Sequence, residues 1–167
     1  MQRAFLAAVL GGILLTGAAC GSDADTKDNA APATPSAAPV SSAPDYSADT
    51  QLICGKLEQL YNGGLEGFNT QIGKMIANKE AKLTPEAGKA REAAGQELRK
   101  VGAKIEQETA AAQDPDLRTA GAASAAKFVQ TADDDAFFQK ITSQKAYDST
   151  IQGQLQEWLT PVAGYCA

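Results

Sequence analysis

Residues 84–112 read T-P-E-A-G-K-A-R-E-A-A-G-Q-E-L-R-K-V-G-A-K-I-E-Q-E-T-A-A-A. Apolar residues recur there at steps of three and four, with Ala87, Ala94 and Val101 interleaved with Leu98, Ile105 and Ala112. That spacing lines one face of an α-helix and does not alternate as a strand would. Thr84 and Pro85 supply an N-cap and a first helical residue, where proline's missing N–H costs nothing. The stretch predicts a helix over about 85–112. Beside its apolar face run Gly88, Gly95 and Gly102, seven apart. Each costs about 1 kcal/mol against alanine inside a helix, so a reason is wanted. Close approach of a neighbouring helix is one; a groove in which a partner docks is the sharper alternative.

Downstream, Asp114-Pro115 repeats the cap-and-proline signal and opens a helix over about 115–131, with Leu117, Gly121, Ser124/Ala125, Phe128 and Ala132 inward. Asp133-Asp134-Asp135 then caps a fourth helix, about 134–160, carrying Phe137/Phe138, Ile141, Tyr147, Ile151, Leu155 and Trp158/Leu159. Polar Gln144 and Lys145 interrupt that pattern, so a bend or two shorter helices are expected between Ile141 and Tyr147. Upstream, Ile53, Leu57, Leu60/Tyr61, Leu65, Phe68, Ile72 and Met75/Ile76 predict a helix over about 50–77, capped by Asp49 or Thr50 and prone to kink at Gly63-Gly64. The expected fold is all-α: an antiparallel up-down-up-down four-helix bundle over residues 50–167.

The cysteines test that topology. Cys54 begins the first helix and Cys166 follows the last, so an antiparallel bundle brings them to the same end. Their pairing is expected as a structural disulfide, since they are not spaced as a redox-active C-x-x-C. Cys20 is left over, and an odd cysteine in an exported chain calls for an explanation.

The N-terminal residues provide one. Arg3 and the amino terminus form a positive head, Ala4–Leu15 an uncharged apolar run, and Gly17-Ala18-Ala19 a small-residue site before Cys20. This is the layout of a signal peptide over residues 1–19, too short an apolar run to span about 30 Å of hydrocarbon. Residues 20–49 follow as an Ala/Pro/Ser-rich tether with Pro32, Pro35, Pro39 and Pro44, too poor in large apolar groups to offset the entropy of ordering.

The T-G-A-A-C ending resembles a bacterial lipobox, whose cysteine receives a diacylglycerol. Gly17 stands where an aliphatic residue is usual. The resemblance implies lipidation of Cys20, and cysteine parity favours it over simple secretion. Lipobox, tether and disulfide-closed helical domain together look like the small secreted lipoproteins of actinobacteria. That resemblance implies attachment to the outer face of the cell membrane, with free secretion as the alternative, and implies no activity.

Composition limits the chemistry. The chain has no histidine, which excludes Ser-His and Cys-His nucleophile systems and histidine-ligated zinc. No phosphate-cradling loop, nucleophile elbow or dinucleotide fingerprint occurs, and neither a cofactor nor a metal is expected. Asp133–Asp135 lacks the spaced ligands of a calcium loop and reads as a helix cap. The net charge is −5, and losing Arg3 with the leader leaves 14 basic and 20 acidic side chains. Such a surface does not attract nucleic acid. The expectation is a non-enzymatic domain binding a protein or cell-envelope component, with Gly88, Gly95 and Gly102 as candidate contacts. The alternative is a small-molecule sensor or solute-binding lipoprotein with a cavity inside the bundle beside Trp158, whose indole N–H needs a partner when buried.

Overall fold

A computed structural model describes residues 43–166. The leader, Cys20 and the tether as far as residue 42 lie outside the described residues. The body is all-helical: α1 Ser47–Gly63, α2 Glu66–Glu80, α3 Thr84–Ala110, α4 Pro115–Asp133, α5 Asp135–Lys140 and α6 Gln144–Ala163. Among the described residues there is no strand.

The expected first helix is two helices. Gly64 turns the chain there, its N–H donating to Leu60 O at 2.6 Å, and a Cβ at Gly64 would collide with that carbonyl. α1 also starts three residues before Thr50. Asp45 Oδ1 accepts from Ser47 N at 2.9 Å, while Asp49 caps nothing on its own helix and accepts from Gln113 N at 2.7 Å. The carboxylate predicted as a local cap is thus spent on the α3–α4 connection. Asp49 still lies in the first turn, where the helix dipole favours an anion.

α2 ends in a Schellman pattern. Leu83 N donates to Asn78 O at 2.8 Å and Lys82 N to Lys79 O at 3.0 Å. The residue in the left-handed position is Lys82, with φ of 59°, where glycine is usual.

α3 buries Ala87, Ala90, Ala94, Leu98, Val101 and Ile105, the face its spacing predicts. Against it runs α4. A Cβ on Gly95 would stand 3.0 Å from Ala132 O, and one on Gly102 would stand 3.0 Å from Ala125 O. As the α3 number rises the α4 number falls, so these two helices are antiparallel. Small residues on both sides let the backbones approach. Arg118 closes the connection, Nη1 donating to Ala112 O at 2.6 Å and Gln113 O at 3.1 Å.

The triple aspartate is divided between jobs. Asp134 Oδ1 accepts from Ala136 N at 2.8 Å and caps α5, Asp133 pairs with Arg99, and Asp135 pairs with Arg91. The expected break in the last helix is present. α5 stops at Lys140, and Ser143 Oγ caps α6 by accepting from Ala146 N at 3.2 Å. α6 continues through Pro161 to Ala163, past the predicted end at 160.

The core centres on aromatic rings from four helices. Phe68 lies 6.4 Å from Phe137, 6.2 Å from Tyr147 and 6.3 Å from Trp158, and Trp158 stacks on Phe128 at 4.3 Å. Threaded through it is a satisfied polar seam. Trp158 Nε1 donates to Thr131 Oγ1 at 2.9 Å, and Ser124 Oγ donates to Trp158 O at 2.7 Å. Tyr61 hydroxyl lies 3.4 Å from the same Ser124 oxygen. Every buried side-chain polar atom among the described residues has a partner, as a low-dielectric interior requires.

Cys54 and Cys166 form a disulfide, their Cα atoms 5.3 Å apart across a sequence separation of 112. The bridge ties the second turn of α1 to the chain just beyond α6.

Candidate functional site

Several surface grooves mark the described residues, and two of them combine apolar walls with hydrogen-bonding groups. The larger, about 650 Å³, opens at the disulfide between α1 and the end of α6, and its walls include Cys54, Leu57, Tyr61, Val162 and Tyr165. Apolar surface remains exposed here, with Tyr165 38% accessible, and Leu52 on the same helix α1 is 61% accessible. Desolvation raises the Tyr61 pKa, only partly offset by the contact with Ser124. The phenol therefore stays protonated through the neutral range and acts here as a hydrogen-bonding group.

The second groove, about 360 Å³, lies between the α2–α3 turn and α5. Met75 and Phe138, 1% and 2% accessible, form an apolar floor with Ala87. Lys79, Lys82 and Arg91 border it, with Asp135. The Arg91 guanidinium sits 4.8 Å above the Phe138 ring and pairs with Asp135. Lys79 Nζ donates to Phe138 O at 3.1 Å and Ile141 O at 2.9 Å, covering carbonyls at the end of α5. Burial lowers the Lys79 pKa, but carbonyl acceptors suit the ammonium form. Both cations are held in place by their neighbours.

The candidate contacts divide accordingly. Gly95 and Gly102 are buried under α4, so their part of the stripe serves helix packing and is not open to a partner. Gly88 is exposed, a Cβ there would meet nothing within 4 Å, and it lines the cationic groove. Trp158 is fully buried, stacked on Phe128 and bonded to Thr131, so it is a core residue and not the wall of a cavity. Cys54 and Cys166 border the larger groove. Lys79, Lys82 and Arg91 were not singled out by sequence reasoning. Lys79 and Lys82 fall in the polar connection after the helix predicted to end at 77, and Arg91 beside the apolar face of the next helix; Lys79 in fact belongs to α2, which runs on to Glu80.

No protein-family model, curated protein or solved structure matches the chain. Both grooves offer apolar surface edged by hydrogen-bonding groups. Among the described residues no cluster of three or more metal-ligating side chains occurs, and no helix is long and apolar enough to cross a membrane.

Proposed function

We propose that the chain is a membrane-anchored extracytoplasmic lipoprotein whose helical domain binds a protein or cell-envelope component and performs no chemistry. The observation that carries this reading is the Cys54–Cys166 bridge. It uses two of three cysteines and leaves Cys20 as the thiol available for diacylation. A disulfide closing most of a small domain also belongs to an oxidising compartment. Two acyl chains, at about 0.8 kcal/mol per buried CH₂, hold a protein at a bilayer where one chain does not.

In this reading the segment from Cys20 to Ser47 is the tether. The α1–α2 pair and the α5–α6 pair each count as one broken rod, so that the helices form an antiparallel up-down-up-down bundle. The binding surface is the disulfide-end groove, where Tyr165, Leu159 and Ala163 supply apolar surface. The absence of histidine from the whole sequence supports a binding and not a catalytic role.

The test is the intact mass of the protein recovered from membranes. Diacylation on Cys20 is expected, with Cys54 and Cys166 refractory to alkylation until reduced. A soluble product beginning at unmodified Cys20 overturns the anchor. Crosslinking from Tyr165 replaced by a photoreactive residue is expected to capture an envelope component, and Ala163→Glu, on the exposed wall of the same groove, is expected to abolish the capture. Capture unaffected by that change overturns the groove assignment.

A further inference from the structure

Two residues at the cationic groove run against backbone economy. Gly88 lies within α3 with open space above it, where alanine would favour the helix by about 1 kcal/mol. Lys82 takes the left-handed position at the end of α2, where glycine would relieve about 1 kcal/mol or more. The sequence thus has glycine where the backbone gains nothing from it and lysine where the backbone favours glycine. Both departures border one groove. A side chain at Gly88 would project over the floor, and glycine at 82 would remove a cation from the rim. Of the two, Lys82 is the strained one, and backbone strain of this kind clusters at binding sites.

The chemistry of the groove names its ligand. The floor is apolar, and three cations against one carboxylate surround it in a chain of net charge −5. Arg91 spends Nη2 on Asp135, and Lys79 has two carbonyl acceptors. A guanidinium carries five N–H donors and an ammonium three, so each retains capacity for an incoming anion. We propose that this groove binds a medium-chain alkyl carboxylate, its chain on Met75, Ala87 and Phe138 and its headgroup between Lys82 and Arg91. At about 360 Å³ the groove lies at the small end of ligand pockets, which suits a single medium-length chain such as decanoate. This site is separate from the disulfide-end groove and does not rest on the reading given to it.

Met75 makes the test direct. The chain has two methionines, Met1 and Met75, and Met75 lies in the groove floor. In the full chain with its disulfide intact and methionine methyls labelled with ¹³C, decanoate is expected to shift the Met75 signal saturably, with a Kd on the order of 1 mM. Gly88→Leu is expected to weaken binding at least about tenfold and Lys82→Gly about fivefold, both with a raised melting temperature. Decyltrimethylammonium and acetate are expected to leave the signal in place. No saturable shift with decanoate overturns the proposal. So does equal binding of the cationic amphiphile, equal binding of acetate, or wild-type affinity in either variant.

Discussion

Gly121 of α4 lies so close to Thr109 of α3 that a Cβ on the glycine would overlap the threonine side chain, whose hydroxyl is already committed to Ile105 O at 2.8 Å. The closest point of the helix pair is therefore set by a missing methyl group. Gly121→Ala must push the helices apart, and a loss of about 1–3 kcal/mol is expected in urea denaturation. Gly73→Ala, on α2 with nothing within 4 Å of the added carbon, is expected to gain about 0.5–1 kcal/mol. The same substitution has opposite signs because one site is an interface and the other is not.

Thr131→Val keeps the shape of a buried side chain and removes the acceptor for the Trp158 indole N–H. The indole, on a fully buried ring, is left without its partner, so a loss of about 1–3 kcal/mol is expected. Thermal unfolding followed by Trp158 fluorescence reads it in the single tryptophan of the chain.

Alkaline pH acts on Tyr147. Burial, with a smaller contribution from Asp148, pushes its pKa up to about 12, and its hydroxyl donates to Asn69 Oδ1. A folded-state pKa above the unfolded value of about 10 means stability is fully present below pH 10 and is lost as pH rises toward 12. Tyr61 shifts in the same direction. Lys79, whose pKa burial lowers, works the other way: its contribution to stability rises with pH across the interval between its folded and unfolded pKa values. Denaturation midpoints between pH 9 and 12 are expected to fall, and to fall less steeply in Tyr147→Phe.

Reducing the Cys54–Cys166 bridge frees a loop spanning 112 residues of sequence. In the chain-entropy picture the loss is about 4–5 kcal/mol. Urea midpoints with and without reductant, and in the Cys54→Ser/Cys166→Ser double variant, are expected to show the same drop.

How far the sequence reaches is visible at individual residues. The apolar face of α3 and the caps at Asp114 and Asp134 are local patterns that the fold keeps, whereas Thr84 opens α3 without capping it, the cap position falling to Leu83. The disulfide was legible too, since with Cys20 set aside the count leaves Cys54 and Cys166, and the helix order independently brings them to one end. Asp49 was misassigned because its partner, Gln113 N, is 64 positions away. The glycine stripe was legible as a packing device but not as a divided one: Gly95 and Gly102 meet α4, while Gly88, on the same face, lies beyond the reach of that helix. The groove cations were invisible for a related reason, since Lys79, Lys82 and Arg91 have meaning only once α5 lies across them.

The position of the bridge also governs how the body bears a load. Pulled between its two ends, α1 can give up only the seven residues from Ser47 to Ile53 before tension reaches the covalent link at Cys54. Those residues span about 25 Å fully extended against about 10 Å in the helix, so the slack is about 15 Å, against several hundred for an uncrosslinked chain. A load carried between the two ends of this domain would thus reach the covalent link after little extension, and the domain would behave as a nearly inextensible bead.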